Sequence, residues 1–247
     1  TTGVNNVAVG NHALDANTTA ANNTAVGYQT LLVNTTGERN VAVGTTALDA
    51  NTTGTYGVAI GYSALGANTT ADGNTAVGYN VLGANTTGTV NVGLGKDALA
   101  ANTTGAANVA VGALALDANT TAGNNTSVGQ GSLTDNTTGA NNTALGRQAL
   151  TANTTAADNV GVGYSALVSN TTGHSNTGIG KSALAANTTG ISNVAVGHLA
   201  ADAQAGNANY NVAIGAEALS TNTLGSQNVA IGLSLIHISE PTRRTPI

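Results

Sequence analysis

The sequence predicts an all-β protein, a parallel β-solenoid of about fourteen coils with about 17 residues in each coil. The first observation behind this prediction is the period. Each run of the type NVAVG ends in a glycine, and the interval from Gly10 to Gly27 recurs at every step except the one after Gly197, which is one residue longer. The second observation is the alternation of side chains within each run. The third is that every coil contains a glycine and an Asn-Thr-Thr run, or its counterpart, which are poor helix formers. The glycines are Gly10, Gly27, Gly44, Gly61, Gly78, Gly95, Gly112, Gly129, Gly146, Gly163, Gly180, Gly197, Gly215 and Gly232.

Each NVAVG run predicts a short strand. The positions one and three residues before the glycine carry Val, Ile, Leu or Thr, and the position between them carries only Ala, Gly or Ser. Side chains alternate across a strand, so the two larger residues share a face and the small residue points the other way. We expect the residue just before the glycine, from Val9 to Ile231, to be buried. The small residues Ala8, Ala25 and Ala42 are expected to mark the close approach of another backbone.

The rest of each coil predicts a core column and polar corners. Leucine stands four residues after the glycine from Leu14 to Leu184, and Asn-Thr-Thr follows from Asn17 to Thr189. The Ala-Leu segment between them is too short for an independent helix. Asn6, Asn23 and Asn40 are expected to stack with their counterparts and form hydrogen-bonded ladders.

Composition excludes several classes of function. The 247-residue chain has 7% charged residues, a net charge of −5, and no Cys, Met, Trp or Phe. It therefore lacks the basic character of nucleic-acid binding proteins and has no thiolate metal site. No apolar run is long enough for a membrane-spanning helix. His12, His174 and His198 fall in different registers, so we expect no catalytic, cofactor-binding or metal site, and no enzyme activity.

Oligomerisation is expected because a single chain has a thin core. Each coil offers only about two large aliphatic side chains, and their burial does not offset the entropy lost in ordering the whole coil. A seam between chains would add buried apolar surface. We expect that seam along the column of small residues.

The repeats resemble the head repeats of YadA-like trimeric autotransporter adhesins. The resemblance rests on NVAIG at 211–215 and 228–232 and NVAVG at 6–10, and it covers about residues 1–232. It implies a left-handed β-roll, a homotrimer, and an extracellular position at the outer-membrane surface, with a matrix protein or surface glycan as ligand. The NTAVG and NTTG arrays are also similar to shaft segments of phage tail fibres, which would place the chain on a virion.

The residue that follows each glycine varies and is expected at an exposed corner. Tyrosines and basic residues are frequent there, and tyrosine is favoured in interfaces. The alternative is a solubilising rim without a ligand. The candidate ligand-facing edge comprises Tyr28, Tyr62, Tyr79, Lys96, Arg147, Tyr164 and Lys181.

The Asn-Thr-Thr runs have three interpretations. They match the acceptor pattern for N-glycosylation eleven times, but a ladder of backbone turns explains them without a modification. A single-chain ice-binding solenoid is the third interpretation, with Asn17 and Thr19 on one face and one outward threonine per coil.

The tail 233–247 breaks the pattern. It contains both prolines, and LSLIHISEPTR at 233–243 resembles the translation of a transposon-type sequencing adapter. We interpret it as non-native read-through at the end of a metagenomic fragment, so the natural protein is expected to continue beyond residue 232. A capping segment is the alternative.

Overall fold

The chain forms a β-solenoid with a single sheet of fourteen parallel strands. The structure is a computed structural model that describes residues 2–233, so the interpretation of residues 234–247 as adapter sequence lies outside the described residues. Every strand has three residues, and no helix occurs in the described range. The strands β1 to β14 are Val7–Val9, Thr24–Val26, Val41–Val43, Val58–Ile60, Thr75–Val77, Val92–Leu94, Val109–Val111, Thr126–Val128, Thr143–Leu145, Val160–Val162, Thr177–Ile179, Val194–Val196, Val212–Ile214 and Val229–Ile231.

The repeat sets the register of the sheet. Strands pair in sequence order, and equivalent residues of neighbouring coils lie side by side, as Val109 does with Thr126. The one coil with an extra residue keeps the same alignment, because Val194 pairs with Val212. The extra residue is therefore accommodated between β12 and β13. Every column of the sequence repeat is consequently a column in space.

The strand faces point opposite to the sequence prediction. From β2 onward the small residues between the aliphatic ones are buried in the core, as Ala25 and Ala110 show at 0% exposure, whereas Ala8 in the first coil is exposed. The residues before the glycine face outward, and Val9 is 57% and Leu145 is 48% exposed. The expected burial of the aliphatic column and the expected chain seam at the small column are both wrong.

Lack of space inside the coil explains this orientation. A Cβ added to Gly161, at the small position of β10, would lie 3.2 Å from Cγ of Leu150 and 3.4 Å from the carbonyl oxygen of Ala166. The leucine comes from the preceding coil and the carbonyl from the opposite wall of the same coil. Only a small side chain fits between them, so the larger aliphatic residues must point outward.

The leucine column forms the core, as the repeat predicted. Leu31 and its counterparts to Leu184 are at most 1% exposed, and they pack against buried alanines. Leu14, in the first coil, is also buried. The apolar interior is therefore one leucine wide.

Two asparagine ladders line the rest of the interior. In the first, the side-chain oxygen of Asn91 accepts the backbone N–H of Asn108 at 3.0 Å. In the second, which belongs to the Asn-Thr-Thr runs, Nδ2 of Asn102 donates to Oδ1 of Asn85 at 2.8 Å and to the Gly105 carbonyl at 2.9 Å. The predicted ladders are confirmed, and they satisfy most of the interior amide groups along the rod axis. Oδ1 of Asn187 is buried without a hydrogen-bond partner among the described residues, at the point where Gln204 takes the place of the next asparagine.

The position after each strand must be glycine, because the backbone of the next coil leaves no space for a side chain. Gly163 has φ +132°, and a Cβ there would lie 2.6 Å from both the carbonyl carbon and oxygen of Gly180. Backbone crowding and an unfavourable φ therefore both exclude a side chain at this corner.

Candidate functional site

The seven residues of the candidate edge lie in one exposed column. Each follows the corner glycine after its strand, so the parallel register aligns them along the rod. Tyr28 stands between Asn11 and Thr45, and its ring has no aromatic or cationic neighbour in the column. The other six form two groups, separated by Ala113 and Gln130.

The first group is Tyr62, Tyr79 and Lys96. The two tyrosine rings stack with centroids 5.4 Å apart and an interplanar angle of 10°. Nζ of Lys96 lies 5.9 Å from the Tyr79 ring centroid and 3.6 Å from Oδ2 of Asp97. The aromatic faces thus contact one another, and the lysine charge is balanced by an adjacent carboxylate.

The second group is Arg147, Tyr164 and Lys181, which follows Gln130 in the column. The guanidinium carbon of Arg147 lies 5.8 Å from the Tyr164 ring centroid. Within the described residues, neither Arg147 nor Lys181 forms an ion pair. We call Gln130, Arg147, Tyr164 and Lys181 the basic strip.

A notch adjoins the basic strip and was missed by the sequence analysis. It has a volume of about 240 Å³, below the range usual for drug-sized ligands, and suits a group the size of one sugar. It opens because Gly131 has no side chain at a position where neighbouring coils carry Leu114 and Gln148. In the sequence, the signal for the notch was a glycine at a position of the repeat where the neighbouring coils carry larger residues. The notch is lined by Leu114, Gln130, Gly131, Thr134, Arg147, Gln148 and Thr151.

A second exposed column was also missed. It precedes each strand and holds Arg39 and Tyr56, whose guanidinium Nη1 donates to the phenol oxygen at 2.6 Å. The guanidinium carbon also lies 5.4 Å from the ring centroid. Counting back five residues from the glycines would have aligned these two residues in the sequence.

The outward residues of the strands form what we call the aliphatic face. It consists of the first and third residues of β1 to β14; the third residue is always Val, Ile or Leu, and the first is Val in nine strands and Thr in five. Isolated exposed aliphatic residues are common on protein surfaces, whereas here they recur in every strand along the rod.

Three aspartates at one position of the coil are partly buried. Burial raises the pKa of Asp49, Asp117 and Asp202, although backbone hydrogen bonds oppose the shift. For Asp117, repulsion from Asp135 and Asp97 raises the pKa further. Its Oδ1 is buried without a hydrogen-bond partner among the described residues. These carboxylates lower the stability of the coil when they are charged.

The Asn-Thr-Thr runs are structural in the folded chain. Asn34 and its counterparts to Asn187 are buried with their amide nitrogens donating hydrogen bonds, so these nitrogens are not accessible to a glycosyltransferase. The ice-binding interpretation assumed that the asparagine and threonine columns share an outward face. In the structure the asparagine column points inward instead. The second threonine, from Thr19 to Thr189, is exposed in every run, whereas the first is exposed at Thr18 and Thr35 and half-buried from Thr52 onward.

The described residues contain no cluster of metal-binding side chains. Between residues 2 and 233, no three His, Cys, Asp or Glu residues come together in a way that could hold a metal ion. His12 instead contacts Asp15 at 3.2 Å, and His174 contacts Ser175 at 3.1 Å. In the same part of the chain, no helix has the length and apolar character needed to cross a membrane.

Comparison with known proteins assigns no family. No family model matches the chain, and no curated protein matches it. The regular stack of β-coils is compatible with repeat proteins that build fibres and adhesins.

Proposed function

We propose that this chain is a segment of a homotrimeric rod on a cell surface, the head region of an adhesin of the trimeric autotransporter kind, with a structural and adhesive role rather than a catalytic one. The observation that carries the proposal is the aliphatic face, which runs along all fourteen strands. Water contact along this face is unfavourable, and self-association removes it.

The size of the aliphatic face suits a subunit interface. Fourteen strands spaced about 4.8 Å apart give a length of about 65 Å, and three residues give a width of about 10 Å. The product is a projected area of about 650 Å² per chain, of the order of the roughly 800 Å² that one partner contributes to a standard interface, and a trimer divides it between two neighbours. It is also at or just above the roughly 300–600 Å² of the largest contiguous apolar patch on a typical monomer, although threonines at the start of five strands add hydroxyl groups to it.

A second and third copy of the same chain are the occupants that fit this face best. Every coil presents the same pattern at the same spacing, so another solenoid aligned with the rod matches it over the whole length. The number three comes from the resemblance of NVAIG at 211–215 and 228–232 to trimeric adhesin heads. In such an assembly, the variable corner column stays available for extracellular ligands.

The test is the solution mass of the chain, measured by light scattering over a dilution series. We expect three times the chain mass, and we expect a double variant, Leu145→Lys and Ile179→Lys, to reduce it. Its matched control is Thr138→Lys with Thr172→Lys, which adds the same charge to exposed positions of nearby coils. A folded monomer at all concentrations would refute the trimer.

Two other functions remain as outcomes of this test. A trimer is compatible with a phage tail-fibre shaft, and the flanking coding sequence separates the two: a membrane anchor domain indicates an adhesin and a chaperone domain indicates a phage fibre. A monomer that inhibits ice recrystallisation would favour the ice-binding interpretation, in which the outward threonines from Thr19 to Thr189 contact ice.

A further inference from the structure

We propose that the basic strip and its notch form a binding site for an acidic saccharide, a glycan chain that carries carboxylate or sulfate groups. The idea that this saccharide is the ligand of a surface rod rests on the proposed function. The binding site itself is formed by a single chain. Four observations about the corner column and the residues beside it support the proposal.

The first observation is the placement of positive charge. Between residues 2 and 233 the chain has four Lys or Arg residues, and three of them, Lys96, Arg147 and Lys181, occupy the single column after the corner glycines. No Asp or Glu occupies that column in the same range. In a chain with net charge −5, such segregation creates a local positive edge.

The second observation is that only part of this edge is free of carboxylates. The residue after Lys96 is Asp97, which pairs with it at 3.6 Å. The equivalent residues after Arg147 and Lys181 are Gln148 and Ser182, which are uncharged. The available charge is therefore concentrated on Arg147 and Lys181, two coils and about 10 Å apart along the rod.

The third observation is a set of free polar groups beside Arg147. Among the described residues, the side chains of Gln130, Arg147 and Gln148 form no hydrogen bonds within the protein, and all three line the notch. A guanidinium and two carboxamides offer donors to an acid group and both donors and acceptors to sugar hydroxyls. The combination is suited to an acidic sugar.

The fourth observation is apolar surface next to these polar groups. Leu114 is 41% exposed at the wall of the notch, and the Tyr164 ring is 44% exposed farther along the strip. Sugar rings have apolar C–H faces that pack on such surfaces. An acidic glycan laid along the strip would place one residue in the notch and a further acid group near Lys181.

A nucleic acid or an anionic membrane is a poorer fit. Both require several neighbouring cations, because their charges are dense, and this strip carries two in about 10 Å. The notch also has room for a single sugar-sized group rather than for a lipid surface.

The experiment measures binding by fluorescence anisotropy with the full chain and labelled oligosaccharides of equal length. The probes are a hyaluronan oligosaccharide, which carries carboxylates, a heparin oligosaccharide, which carries sulfates as well, and an uncharged dextran oligosaccharide. We expect binding of at least one acidic probe, weaker binding at higher salt, and no binding of dextran. Which acidic probe binds more tightly identifies the acid group.

Variants assign the binding to the strip. Arg147→Gln and Lys181→Gln are each expected to weaken it about tenfold, equivalent to about 1.4 kcal/mol. Lys96→Gln is the matched control and should have little effect, because Asp97 already balances that charge. Gly131→Gln should also weaken binding by filling the notch. The backbone accepts it, because Gly131 has φ +64° and its column neighbour Gln148 has φ 60°.

Three results would overturn the proposal. The first is the absence of binding to both acidic probes by a chain with intact circular dichroism. The second is an equal loss of affinity in Lys96→Gln and Lys181→Gln, and the third is equally tight binding of duplex DNA or anionic vesicles, since either of these means general charge attraction. Light scattering on the same samples reports the trimer separately, so each proposal can fail without the other.

Discussion

The asparagine ladder of the Asn-Thr-Thr runs should make a large contribution to stability, and Asn102→Ala tests it. Asn102 lies in the middle of the rod, and its amide group participates in three hydrogen bonds. Its Nδ2 donates to Asn85 and Gly105, and its Oδ1 accepts from Nδ2 of Asn119 at 2.8 Å. The substitution removes all three bonds within the buried interior.

The cost follows from the atoms left without partners. The Gly105 carbonyl keeps a second donor, Nδ2 of Asn91 at 2.8 Å. Oδ1 of Asn85 and one proton of Asn119 Nδ2 lose their only partners in the protein. A buried polar group left unsatisfied costs about 1–3 kcal/mol, so two such groups predict a loss of about 2–6 kcal/mol.

Hydrogen exchange measured by mass spectrometry is the suitable assay, with denaturant unfolding as the global readout. Stacked repeats open locally, so the loss should be concentrated in the coils on either side of residue 102. Thr104→Ala is the control, because Thr104 is exposed and its side chain makes no hydrogen bond within the described residues; it should change stability by about 0.5 kcal/mol or less. Equal effects of the two substitutions would refute the structural role of the ladder.

Four further predictions address the core, the corner, the carboxylates and the edge. Leu99→Asp should unfold the central coils, because it places an unpaired charge at a fully buried position, whereas Leu114→Asp at an exposed position should be tolerated; circular dichroism melts compare them. Gly163→Ala should cost about 2–5 kcal/mol in denaturant unfolding through backbone crowding and strain, with Gly66→Ala, whose Cβ would meet only ordinary contacts, as the control. Asp117 has a raised pKa in the folded chain, so stability falls as pH rises through that pKa and the carboxyl becomes charged. Asp117→Asn should therefore raise the melting temperature at neutral pH and reduce this pH dependence. The gain in the free energy of unfolding should be less than about 1 kcal/mol, because the group is partly solvated. Tyr79→Ala should leave the melting temperature nearly unchanged, and a large loss would show that its exposed column is an interface.

Much of the candidate edge could be predicted from residue positions alone. Tyr62, Tyr79 and Lys96 occupy one column because the period of the repeat places them there, and the structure adds only their contacts. The notch beside Arg147 could not be predicted in the same way. It depends on the space left at Gly131 between Leu114 and Gln148, which requires the depth of the coil to be known.

The sequence by itself determined the period, the strands, the leucine core and the asparagine ladders. Residues at the same place in a regular repeat stack on one another, so Leu116 had to meet Leu99 and Leu133, and Asn102 had to meet Asn85 and Asn119. These contacts depend on the repeat and not on the path of the chain within a coil.

Only the tertiary structure decided which strand face is inside. Alternation places Ala110 and Val111 on opposite faces but does not say which face is buried. In a wider sandwich, the larger side chain would fill the core. In a coil as narrow as this one, a leucine and the carbonyl groups of the opposite wall leave room for only a small residue, as the distances around Gly161 show. The aliphatic residues are therefore directed outward, where they form the surface that we propose as a subunit interface.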